Sequence, residues 1–405
     1  VFEGAAVAGE RGTGLESAAS DALRSAQAKP AGGSASGAKA PTPTAAGADQ
    51  PAESEEKVAR FYFVPMKGQM GTDVHPSIYE AVVKDIKAKQ PDVVVFTIEC
   101  ADYNTIFYLK DDDPTKASLN RLTEYRDMVA QIQEDLRGIR QVVWVEDSVG
   151  FSSLVALSWP EIYMTSDARL QGLERVLEPV LGWRDPDVRA KMLAAWTGIA
   201  KGLLEKGGHP QELGEAMMRP EKKLSVSFEG REINWLPDTQ GHWVLDGSDR
   251  FTARFSAQVA EDIGLCAGIA DTREDLAFLL GYREWEEVPN STKIVDDYLE
   301  DWRAMLKQVS TWMLEQQDAM RYAAGGEAVK YYGQAIDRLN KIVAAMTKYP
   351  AIEVLYQTRW GLNRERIKLE IEKLQEQIRA IKRGPGGGAG GGGGGGASLG
   401  GGRGR

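Results

Sequence analysis

Three serines surround a glycine where an apolar run gives way to a new one: Ser148, Ser152 and Ser153 flank Gly150 in QVVWVEDSVGFSSLVALSWPEI. A hydroxyl at a helix start is a nucleophile when a base takes its proton. Without a base it is a cap or a polar first-turn group. Cys100, in FTIECADYN, is the other nucleophilic side chain beside a strand end, and no histidine stands near it in sequence. The three histidines, His75, His209 and His242, are scattered and give no spacing for a His-based triad. Asp111-Asp112-Asp113 lacks the ligand spacing of a calcium loop. With Pro114 it reads as a solvated loop leading into a helix. Asn290-Ser291-Thr292 fits a glycosylation sequon, and the glycine-rich tail lacks the strand–turn–helix context of a phosphate loop. No metal centre and no cofactor is expected.

The elements that must position these groups alternate strand and helix. A strand over Arg60 to Met66 leads to a helix from His75 to Lys89, with Ile78, Val82 and Ile86 on one face. Val93, Val94, Val95, Phe96 and Thr97 form an unbroken β-prone run, the habit of a parallel strand buried on both faces. A helix from Leu119 to Leu136 carries Leu122, Tyr125, Val129, Ile132 and Leu136. QVVWVE is the next strand, then a helix from Gly150 to Leu157 and the strand EIYMTS. Residues 184–219 are helical, with Met192, Leu193, Trp196, Ile199 and Leu203 inward. KLSVSF, REINWLP and HWVLDG are short strands separated by turns at Glu229-Gly230 and Asp238 to Gly241. From Ser291 onward three heptad-like seams follow: Val295 to Trp312, Val329 to Met346, and Ile367 to Ile381. Gly325-Gly326 and Tyr349-Pro350 break them into three helices.

This pattern resembles the ClpP/crotonase superfold, and within it the NfeD and SppA branch of membrane-associated serine proteases. The resemblance runs from about Val58 to Tyr282. It includes FTARFSAQVAEDIGLCAGIADTREDL, which is similar to that branch's closing T-A-x-x-A-x-x-x-G-L-A-D-G-I-A-D-S-x-E-x-L. It implies an α/β fold with a repeated ββα spiral core, here followed by a helical coiled-coil region. The branch's oxyanion turn, D-S/T-P-G-G, aligns with Glu99, Cys100, Ala101, Asp102 and Tyr103, so an acid and a bulky aromatic replace both glycines. Its nucleophile position aligns with Gly150, and Ser152 or Ser153 serves only in a shifted register. The resemblance also implies a lysine base, for which Lys191 is the first candidate and Lys201 the second. It implies an envelope or membrane-proximal setting.

The expected organisation is a low-complexity segment over 1–56, a ClpP/crotonase-like domain over 57–285, a helical coiled-coil region over 291–383 and a glycine-rich tail over 384–405. Segments so poor in large apolar residues cannot offset their ordering entropy and are expected to be disordered. A net charge of −10 argues against a nucleic-acid binder. No apolar run is long enough to span a bilayer. The two cysteines are too few for a disulfide framework. The leading expectation is a degenerate serine-protease homologue that binds a polypeptide substrate or peptide ligand and self-associates, with a coiled-coil partner or as a homo-oligomer. The alternatives are an active Ser-Lys endopeptidase using Ser152 or Ser153, and a crotonase-type acyl-CoA enzyme using Glu99 or Glu146.

Overall fold

Five β-prone residues in a row build the centre of the molecule. β2 (Val93–Cys100) lies between β1 (Ala59–Lys67) and β3 (Arg140–Ser148), parallel to both. Its Val93 to Phe96 are buried on alternate faces. The structure is a computed structural model and describes residues 58–100, 119–181, 184–230, 232–324 and 327–383. The expected disordered segments over 1–56 and 384–405 lie outside these residues.

β4 (Ile162–Met164) joins beyond β3. Late in the sequence, β10 (Gly268–Ile269) and β11 (Trp285–Glu287) take the two edges. The order is β10-β4-β3-β2-β1-β11, and every pairing is parallel. The fold class is therefore α/β.

Helices fill the crossovers. His75 caps α1 (Pro76–Lys89) by accepting from the Ser77 backbone N–H, and Pro76 supplies the preset first residue. α2 (Leu119–Asp135) buries Leu122, Tyr125, Val129 and Ile132, the expected stripe. α3 (Phe151–Ala156) is a short helix buried along its length. A small antiparallel pair, β5 (Arg169–Leu170) with β9 (Phe255–Ser256), lies beside the sheet. Between them come a 3₁₀ turn at Leu173–Val176, α4 (Glu178–Leu181), α5 (Pro186–Lys206), α6 (Gln211–Met218) and a three-stranded antiparallel sheet. That sheet has β6 (Leu224–Glu229) between β7 (Glu232–Leu236) and β8 (Trp243–Asp246). α7 (Ala257–Asp262) precedes β10, and α8 (Arg273–Leu279) follows it.

Two apolar layers result. Phe61, Phe63, Val93, Val95, Val142 and Trp144 face α8. The opposite sheet face belongs to a much larger cluster that continues from Tyr62 into the C-terminal helices as far as Leu374.

Those helices are α9 (Lys293–Ala323), α10 (Ala328–Lys348), α11 (Pro350–Trp360) and α12 (Arg364–Arg383). The region thus holds four described helices where the seams suggested three. Gly361, at φ 62°, ends α11 in the left-handed conformation that glycine adopts freely. Val295, Tyr298, Trp302, Val309, Leu339, Met346, Ile367, Ile371 and Leu374 are buried within the one protein molecule. α9 also docks on the loop before α1. Tyr298 Oη donates to the Thr72 carbonyl at 3.2 Å, and Arg303 forks onto Asp73 Oδ1 at 2.8 and 3.2 Å.

Candidate functional site at the β3–α3 turn

The turn from β3 into α3 carries four of the residues singled out by sequence: Ser148, Gly150, Ser152 and Ser153. Gly150 holds φ 71° and ψ −123°, a region open to glycine and strained for any residue with a Cβ. Its N–H donates to the Gln171 carbonyl at 2.8 Å. Gly172 presses against it: a Cβ on Gly172 would lie 3.0 Å from the Gly150 nitrogen and 2.9 Å from Val149 Cγ1. The backbone is wedged between two segments, and glycine at both positions makes that approach possible.

The structure brings Ser148, Ser152 and Ser153 together around this turn and turns all three inward, with none of their surface exposed. Ser152 Oγ accepts from the Val149 N–H at 3.0 Å and lies 3.0 Å from the Cys100 carbonyl and 3.1 Å from the Val149 carbonyl. Ser153 Oγ accepts from the Gln171 N–H at 3.2 Å. It also sits 3.0 Å from the Gln171 carbonyl and 2.9 Å from Ser148 Oγ. Ser148 Oγ donates to the Arg169 carbonyl at 2.8 Å. These hydroxyls tie β2, the turn and the segment around β5 into one knot. None of these hydrogen bonds runs to a side-chain base.

Lys191 stands on the exposed surface of α5, and none of those hydrogen bonds reaches it. Lys201, the second lysine, pairs with Glu215. The oxyanion-turn positions Ala101, Asp102 and Tyr103, like the Asp111-Asp112-Asp113 run, lie outside the described residues. Cys100 is fully buried, its Sγ 3.0 Å from the Met66 carbonyl, and burial pushes its thiol far above the ordinary range. A thiol held protonated in this way is a poor nucleophile. Among the described residues no His/Cys/Asp/Glu group has the arrangement of a metal site.

Charged groups gather at the carboxyl ends of the central strands. Lys67 bridges to Glu99 at 2.5 Å. Glu146, at an irregularity in the β2–β3 register, is raised above the usual carboxylate range, first by burial and then by Glu99. Asp147 is raised mainly by burial. Sequence spacing alone could not select Glu146 over Glu99. In the structure Glu99 pairs with Lys67, and Glu146 stands half-buried at the shift in the β2–β3 register.

A cleft of about 500 Å³ opens beside the turn, lined by Val149, Gln171 and Gly172 on one side and by the β8–β9 connection on the other. Sequence reading missed it, because its walls come from segments some 80 residues apart in sequence, Gln171 to Arg175 and Arg250 to Arg254.

No family model matches the sequence, and no curated protein matches it. Solved structures similar to it include a 1510-N membrane protease from Pyrococcus horikoshii specific for a stomatin homolog. It is 11% identical, over 54% of this chain and 78% of that one, with a TM-score of 0.32. A lysine-to-alanine variant of the 1510-N membrane-bound stomatin-specific protease, in complex with a substrate peptide, is 11% identical. That match covers 55% of this chain and 80% of the other, at a TM-score of 0.34. An enoyl-CoA hydratase from a Polaromonas species is 13% identical over 70% of this chain and 86% of its own, with a TM-score of 0.26. These likenesses reach both a protease and an enoyl-CoA hydratase, and at such scores neither argues for an activity.

Proposed function

We propose that this protein is a ClpP/crotonase-like protein of the NfeD/SppA type that binds polypeptide without cleaving it. The repeated ββα spiral belongs to the same reading. The observation that carries it is the β3–α3 turn. Glycine in a glycine-specific conformation stands at the aligned nucleophile position, and Ser152 and Ser153 spend their hydroxyls on backbone groups inside the protein. Hydrolysis by a serine needs an accessible oxygen and a base within hydrogen-bond reach of it, and among the described residues this arrangement offers neither. What remains is a cleft beside the turn, suited to an extended peptide held by main-chain hydrogen bonds.

The test is incubation of the full-length protein with a mixture of unfolded polypeptides, read by mass spectrometry for new termini and by co-sedimentation for binding. Binding without new termini is expected. Cleavage that disappears in a Ser152→Ala/Ser153→Ala variant would establish the Ser-Lys endopeptidase and end this reading.

A further inference from the structure

The cleft beside the β3–α3 turn differs in charge from the protein around it. The whole sequence has a net charge of −10, yet three arginines, Arg175, Arg250 and Arg254, line this one cavity. Among the described residues Arg250 and Arg254 form no ion pair, and both are exposed. Asp246 feels the Arg254 charge without pairing with it, and its Oδ1 is taken by the Ser248 N–H at 2.9 Å. The cavity's own acid, Glu174, accepts from Thr252 Oγ1 at 2.9 Å. Two guanidinium groups thus line a concave surface, and among the described residues neither is in an ion pair.

Beside the polar groups Gln171, Glu174 and Thr252, the lining carries an apolar part. Leu181 and Phe251 are more than half exposed at the mouth (54% and 66%), and Val149, Met218 and Pro220 complete the wall. Large apolar side chains held in water beside unpaired guanidinium groups form a surface of mixed chemistry. A small inorganic anion would use only the arginines. A carboxylate on a peptide that also bears an apolar residue would use both parts. The planar fork of arginine matches a carboxylate in bidentate geometry.

We propose that this cavity recognises peptide carboxylate: Arg250 and Arg254 bind the anion, and Leu181 and Phe251 receive the neighbouring apolar side chain. The proposal rests on the polypeptide-binding reading above and adds ligand selectivity to it. The carboxylate comes from the C-terminus of the bound peptide or from an aspartate or glutamate within it, and the two sources share one chemistry.

Three fluorescently labelled peptides of one apolar sequence separate these cases, with anisotropy read on the full-length protein. The first has a free C-terminus and neutral side chains. The second is amidated with a central glutamate, and the third is amidated and neutral. At least one of the first two is expected to bind tenfold or more tighter than the third, and which one names the source. In an Arg250→Gln/Arg254→Gln variant that preference should vanish. An Arg126→Gln/Arg137→Gln variant removes two exposed arginines paired to other acids and should keep it. Both pairs lie on the surface, so neither change threatens folding. Equal binding of all three peptides, or a preference that survives the Arg250/Arg254 change, overturns the carboxylate proposal and leaves polypeptide binding standing. Binding by none overturns both. A phosphorylated peptide that binds while both carboxylate peptides fail also overturns the proposal.

Discussion

Gly150 is the residue on which the reading turns, and its backbone makes the argument quantitative. At φ 71° and ψ −123° any residue bearing a Cβ incurs about 1–3 kcal/mol of strain. Gly150→Ala should therefore lower the denaturant midpoint at unchanged slope, by a free energy in that range. Gly150→Ser should incur the same loss and gain no peptide hydrolysis, because among the described residues no hydrogen bond of the turn's serines runs to a side-chain base. Ser152→Ala removes a hydroxyl that accepts from Val149 N–H and reaches the Cys100 carbonyl. A loss of about 1 kcal/mol is expected in equilibrium unfolding. Sequence showed that serine and glycine share this turn, and only the resemblance implies that Gly150 stands at the nucleophile position. Sequence could not show which way the hydroxyls point. At helical spacing adjacent serines differ by about 100°, and only the packing of Gly172 and Gln171 against the turn decides which direction is inside.

Elements were more legible than orientations. α1 and α2 could be read from their buried stripes because tertiary burial coincides with helical periodicity. α11 could not. Its run AIEVLYQTRW is largely apolar and shows no clean seam, and the helix follows Pro350 directly after α10. The signal that was present, Gly361 after Trp360, marks its end. Packing between elements also carries a pH response. His209, in the α5–α6 connection, reaches the Trp159 carbonyl through Nε2 at 3.3 Å, and burial holds its imidazole below the ordinary value despite that hydrogen bond. With the folded value depressed, the unfolded imidazole takes up its proton first as pH falls through about 6.5. The unfolded state then binds more protons, so this contribution is complete above that pH and is lost toward the lower folded value. Urea midpoints measured between about pH 7.5 and about 5.5 should decline, and His209→Gln should decline less over the same window. An identical decline in both proteins would assign the response to other groups.

At the scale of the whole molecule, the seams that suggested a coiled coil are largely satisfied at home. The described residues from 58 onward fall within one compact unit, and the apolar cluster under the sheet runs without a break into α9, α10 and α12. α9 covers the loop before α1, where Met70, Thr72 and Val74 are almost wholly buried. Asp73 binds Arg303 on one oxygen and the Gln69 N–H at 2.9 Å on the other. Removing residues 291–383 therefore does more than delete an appendage. It uncovers an apolar face and leaves a buried carboxylate without its arginine, both costly in water. The shortened protein should bind a hydrophobic dye, sediment as heterogeneous aggregate and unfold at lower denaturant than the full-length one. Asp73→Ala in the intact protein should reproduce a smaller part of that loss, about 1–3 kcal/mol. A shortened protein that stays folded at full stability and sediments as a smaller discrete particle would show the opposite: the helices would then be an assembly device between protomers, and the contacts with α1 incidental.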